Sequence, residues 1–254
     1  MEYQQDNYTG KGIKVAIVDS GIRVDDPRLA GAKIEGWNIR FGATGHALLG
    51  ADFNDEAGHG TEVAAAIHRM APDAELLAVK IMDGRLRTSA DLMAAGLETA
   101  SRHGAQVINL SLGTPNMGKA LLLRDCCALA VDSGSLVLAA AHPKGDRAYP
   151  ADLPEAIGVS SHPDCAFEKF FYFSSEKFPR AKFGALSDKY LAHGYAVPKP
   201  GATKKIWRGS GIATAYMAGR VACLCQAQPD ADIETLVTML RELAQSPSPG
   251  SSFG

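Results

Sequence analysis

Short runs of apolar, mostly β-branched residues alternate with stretches of helical spacing along this chain, and that alternation leaves few folds open to it. KVAIVD around residues 15–18, LLAVKIM at 76–82, VINLSL at 107–112 and LVLAAA at 136–141 read as strands buried on both faces. Between them, residues 59–70, 90–103 and 121–133 carry apolar side chains at helical intervals. Ala71 and Pro72 end the first of these helices and Gly104 caps the second. Strands and helices that alternate in this way form a doubly wound, mostly parallel sheet of the α/β class. Ligands bind such sheets at the carboxyl ends of the strands, where Asp19, Ser111 and His142 fall. The Gly-spaced stretch 31–50 shows no assignable pattern.

With 254 residues, 46% of them hydrophobic, the chain can bury a large core in one domain, expected to span 1–245. The Ser/Pro/Gly tail 246–254 reads as disordered. A net charge of −2 supplies no general attraction for nucleic acid or anionic membrane, so neither is expected as a partner. The polar N-terminus lacks an apolar signal region, and no stretch of about 18 apolar residues follows, so a cytoplasmic location is expected. Five cysteines without a C-x-x-C pair suggest buried free thiols rather than a disulfide framework or a zinc site. Between 161 and 201, Phe167, Phe170, Phe171, Tyr172, Phe173, Phe178 and Phe183 mingle with Lys169, Lys177, Arg180 and Lys182. At this overall charge they are better read as covering the core or gripping a peptide than as binding single-stranded nucleic acid.

Three stretches carry chemistry. Asp19 ends a buried strand in KVAIVDSGI, and His59 opens a small-residue helix in GHGTEVAAA. Near the C-terminus, GSGIATAYMAG at 209–219 is a glycine-flanked junction leading into an alanine-rich helix, whose N-terminus presents free N–H groups. An aspartate, a histidine and such a junction, in that order, reproduce the chain order of the Asp, His, Ser triad of the subtilisin type. The chain resembles the subtilisin-like serine peptidases, or subtilases. NLSLG at 109–113 is similar to the substrate-lining strand of that family, AAAHPKG at 139–145 to its oxyanion segment, and YPADLPEAIGVSS at 149–161 to the strand that follows. The resemblance covers roughly 12–243 and implies a three-layer subtilisin-like fold. It also implies Asp19 and His59 as catalytic residues, and Asn109, Leu110, Ser111, Leu112 and Gly113 as lining an extended peptide or protein substrate. No cofactor and no metal is implied. Many family members carry an N-terminal propeptide, which this sequence is not expected to encode. Secreted members often have a calcium loop in the helix after the histidine, for which RMAPDAEL leaves no room; Asp52, Asp55 and Glu56 read as a solvated acidic loop.

The nucleophile departs from this pattern. Ala213, Thr214, Ala218 and Gly219 set a register in which Gly211 occupies the serine position and Ser210 the one before it. On a helix, neighbouring side chains are rotated by about 100°, so Ser210 is expected to aim away from His59 and to be the lesser candidate. His142 stands where the resemblance implies an oxyanion asparagine. Three readings follow: a serine endopeptidase silent without its serine, a pseudopeptidase that binds an extended peptide without cutting it, and an enzyme of another class that uses the Asp19 and His59 pair to activate water or another nucleophile.

Overall fold

A computed structural model describes residues 7–142, 144–163, 165–174, 188–198 and 207–245. Its centre is a sheet of nine strands: β1 (Lys14–Asp19), β2 (Lys33–Phe41), β3 (Ala47–Gly50), β4 (Glu75–Lys80), β5 (Val107–Leu110), β6 (Leu136–Ala140), β7 (Ile157–Ser161), β8 (Phe170–Phe173) and β9 (Lys189–Ala192). They lie in the order β3-β2-β4-β1-β5-β6-β7-β9-β8. From β2 to β9 all neighbours run parallel, and only the outermost strands, β3 and β8, pair antiparallel. The helices are α1 (His59–Met70), α2 (Ala90–Arg102), α3 (Ala120–Asp132), α4 (Ser210–Ala227) and α5 (Ile233–Leu243).

The strands are apolar throughout because helices cover both faces. Val15 and Ile17 of β1 point into a core shared with α1, α4 and α5, while Ala16 and Val18 point into a second core under α2 and α3. Each buried Val, Leu or Ile contributes roughly 1.5–3 kcal/mol, so two such layers fix both the strand order and the faces the helices occupy. α4 is buried on nearly all sides, and small residues permit that: a Cβ on Gly219 would come within 2.5 Å of Met70 Cβ on α1. Gly104, with φ +73°, turns the chain out of α2 as its sequence position suggests.

Some elements differ from the sequence reading. The unassigned stretch 31–50 contains β2 and β3; β3 is exposed along its whole length, so it carries no burial signal to read. β5 stops at Leu110 and α5 was not anticipated. The irregular region beyond 161 holds β8 and β9. Phe170 joins the α4 core, with Phe167 and Tyr172 packed against it, and Phe171 and Phe173 form a separate cluster with Cys165 and Leu191. Lys177, Phe178, Arg180, Lys182, Phe183 and the tail 246–254 lie outside the described residues. Cys127, Cys165, Cys223 and Cys225 are buried free thiols and Cys126 is half-buried. Among the described residues, no helix is long and apolar enough to cross a membrane.

Candidate active site

The chain passes from β4 on one side of β1 to β5 on the other, and the crevice opens at this change of direction. Asp19, the last residue of β1, is fully buried, and its Oδ1 accepts from the Ser20 amide at 2.7 Å. His59 is the first residue of α1. Its Nδ1 lies 2.8 Å from Asp19 Oδ1 and 3.0 Å from Oδ2, so the carboxylate fixes the plane of the ring and leaves Nε2 on the opposite side.

Two features of the loop before α1 bring the histidine to the aspartate. Gly58 caps the helix at φ +90°, and a Cβ on Gly60 would collide with the Gly21 carbonyl at 2.1 Å, so only glycine lets the helix start approach the β1 turn this closely. Asp55 supplies the second. It is buried, not solvated as the acidic run suggested, because its oxygens are used within the fold. Oδ1 accepts from Ser20 Oγ (2.9 Å) and the Gly58 amide (2.7 Å), and Oδ2 from the Thr61 amide (2.9 Å) and Oγ1 (2.6 Å). Asp55 thereby caps α1 and ties it to the residue after Asp19. An aspartate shortly before a helix start is the sequence signal that could have revealed it. Asp52 and Glu56 are exposed, and Glu56 lies 3.5 Å from Lys80.

Burial alone would lower the His59 pKa. The charge and hydrogen bonds of Asp19 outweigh it, with smaller help from Asp55 and Glu62, and the net shift is upward. The ring also meets Trp207 edge to face, with centroids 5.1 Å apart, a neighbour that sequence spacing gave no reason to expect. Trp207 is held on a short strap beside residues 194–196, where Ala196 N–H donates to its carbonyl at 2.9 Å and the Gly209 amide donates to Gly194 at 2.8 Å.

Gly211 lies in the first turn of α4, which begins after Gly209 at φ +123°. A Cβ on Gly211 would stand 3.5 Å from His59 Nε2, 3.0 Å from the Ser111 carbonyl oxygen and 3.2 Å from Ser111 Cβ. A side chain at 211 would therefore project toward the nitrogen that Asp19 leaves available. Ser210 is 5% exposed, and its hydroxyl makes no hydrogen bond, to His59 or to any other described residue. Ser111 Oγ donates to the Gly211 carbonyl at 3.0 Å and accepts from Asn109 Nδ2 at 2.9 Å, joining the end of β5 to the α4 turn.

The segment 109–113 divides in two. Asn109 and Leu110 are fully buried, because β5 is an interior strand covered on both faces, and their side chains are out of reach of a ligand. Ser111 and Leu112 are half-buried and Gly113 is exposed. His142 follows β6; its Nδ1 lies 3.3 Å from Asp146 Oδ2 and 3.4 Å from the Lys144 amide, so the ring is engaged with its own loop.

A carboxylate-oriented imidazole thus faces the start of a buried helix at the carboxyl edge of a doubly wound sheet, with Gly211 opposite its Nε2. Residues 10–254 match the model of the subtilase family (Peptidase_S8). Subtilisin NAT of Bacillus subtilis subsp. natto is 31% identical over 241 residues, a match covering 87% of this chain and 58% of that protein. Subtilisin Savinase of Lederbergia lenta is 32% identical over 234 residues, covering 87% of this chain and 79% of its own length. Among solved structures, a cold adapted subtilisin-like serine proteinase superposes with a TM-score of 0.73 at 20% identity, covering 98% of this chain and 88% of the other. A lanthipeptide protease does so at 0.68 and 17%, covering 98% and 86%. The chain belongs to the subtilase family.

Proposed function

We propose that this chain is a subtilisin-type serine endopeptidase scaffold that is catalytically silent as written, and that its cleft holds an extended peptide without cutting it. The carrying observation is the pairing of an intact Asp19 and His59 dyad with Gly211, whose Cβ position stands 3.5 Å from His59 Nε2. Acyl transfer by a triad needs a hydroxyl in that place. In subtilisin, loss of the nucleophile lowers kcat by about 10⁶, on the order of 8 kcal/mol, which no other group near His59 among the described residues compensates. Ser210 is no substitute, since its hydroxyl makes no bond to the base.

A peptide is the occupant to test first. Ser111, Leu112 and Gly113 leave β5 at the mouth of the crevice, where an extended segment can add alongside them. Two structures similar to this one are named as a lanthipeptide protease and as the prenylagaramide maturation protease PagA. The test pairs activity with binding. Purified protein is incubated with casein, probed with a fluorophosphonate, and titrated into fluorescent random-sequence hexapeptides while anisotropy is followed. Binding without cleavage or labelling is expected. Fluorophosphonate labelling that disappears in Ser210→Ala would overturn the silent-site reading and make Ser210 the nucleophile.

A further inference from the structure

Arg28 lies in the single 3-10 turn Pro27–Leu29 that follows β1, and its guanidinium is buried, with 6% of the side chain exposed. Each of its N–H groups is used. Nε and Nη2 donate to the two oxygens of Asp26, at 2.9 and 3.0 Å, and Nη1 and Nη2 donate to the two oxygens of Glu62, at 2.6 and 2.9 Å. The remaining N–H, on Nη1, donates to the Val197 carbonyl at 2.8 Å. A planar guanidinium can pair with two carboxylates in this way and still keep a donor for a backbone carbonyl 169 residues along the chain.

The three acceptors belong to three different segments. Asp26 caps the turn that carries Arg28, and Glu62 stands on α1 one turn past His59. Val197 continues the strap whose residues 194–196 hold the chain around Trp207: Gly194 accepts from the Gly209 amide, Tyr195 pairs with Arg208, and the Ala196 amide donates to Trp207. The Tyr216 hydroxyl ties the same strap to α4, donating to the Tyr195 carbonyl at 3.0 Å. Arg28 ties it to α1, the helix that begins at His59. Trp207, which the strap carries, then meets the His59 ring edge to face. A ring contact of this kind is weak and holds no backbone segment by itself, whereas a buried hydrogen bond from a charged donor is among the stronger ones in a protein.

We infer that Arg28 is a positioning residue of the cleft: by holding Val197 against α1, its guanidinium sets Trp207 on the edge of the His59 ring. The inference stands on this geometry whatever the cleft holds. Lysine in its place would keep the charge, but a single ammonium cannot make two bidentate pairs and a carbonyl bond at once. Glutamine would lose both the charge and the fork.

The contact has a spectroscopic signature that a loss of stability alone does not move in the folded protein, because a protonated imidazole against an indole quenches its fluorescence. Trp37, the other tryptophan, lies 5.4 Å from His103, so the measurement uses the full chain carrying Trp37→Phe. Asp19 on β1, Asp55 before α1 and Glu62 on α1 hold the proton on His59 beyond its ordinary pKa of 6.5. Trp207 emission is therefore expected to rise with pH in a step centred above 6.5, and His59→Gln should abolish that step. In Arg28→Gln and Arg28→Lys the far-ultraviolet circular dichroism should stay unchanged while the step loses most of its amplitude and the emission maximum moves to longer wavelength as the indole gains water. A step of full amplitude in folded Arg28→Gln would overturn the inference. Should that variant not fold, Arg28→Lys decides, and a full step there would overturn the inference as well, since charge without the fork would then suffice. The absence of any step that depends on His59 in the Trp37→Phe chain would overturn it at the root, because Trp207 would not be resting on His59.

Discussion

Gly211→Ser should turn the site proposed to be silent into a working one, and the geometry sets the terms. The new Cβ would stand 3.5 Å from His59 Nε2, and a hydroxyl one bond further along in the right rotamer enters hydrogen-bond range of that nitrogen. The same Cβ meets the Ser111 carbonyl at 3.0 Å and Ser111 Cβ at 3.2 Å, so Ser111 must yield by a few tenths of an ångström. Such crowding costs about 1–3 kcal/mol. Against it, replacing a helical glycine whose φ is not positive returns about 0.5 kcal/mol of helix propensity. The variant should therefore be folded and slightly less stable. For activity, restoring the nucleophile is worth about 10⁶. His142 is turned to its own loop, and a missing oxyanion side-chain donor costs about 10² to 10³. The expected gain over the unaltered chain is about 10³ to 10⁴ in hydrolysis of fluorogenic peptides, with fluorophosphonate labelling that His59→Ala abolishes. A folded Gly211→Ser protein that stays unlabelled would refute the placement of residue 211 opposite the base.

Three further outcomes are expected. Asp55→Ala strips acceptors from two amides and two hydroxyls around the start of α1 and should lower stability by about 3 kcal/mol or more in urea unfolding; a loss under 1 kcal/mol would contradict its role as a buried cap. His59 has a folded pKa above its unfolded value of about 6.5, so its stabilising contribution is complete below that pH and fades as pH rises through the folded pKa. The melting-temperature advantage of the unaltered chain over His59→Gln should accordingly hold below about pH 6.5 and shrink above it, and an advantage that grows with pH would reverse the sign assigned to Asp19. Because α1 runs unbroken to Met70 and reaches β4 within a few residues, melting in calcium and in chelator should coincide; a shift of many degrees would expose a metal site elsewhere.

The local sequence determined most of the elements and marked the candidate site positions. Apolar runs and helical periods report burial along one element, so β1, β4, β6, α1 to α3 and the start of α4 could be read within a residue or two. Asp19, His59 and Gly211 stand out as candidates because each sits in a short motif whose register its own neighbours fix, and the structure places them side by side. Exposed β3 could not be read, since a strand outside the core carries no pattern of burial. Tertiary structure alone decided who meets whom across the crevice. Ser111 bonds to a carbonyl 100 residues away, Trp207 packs on His59, and Asn109 is sealed inside the sheet while Ser111, two residues later, stands at the mouth. These contacts depend on strand order, on β5 lying between β1 and β6 with α4 across their faces, and strand order is set by packing between segments far apart in the chain, which no local period records.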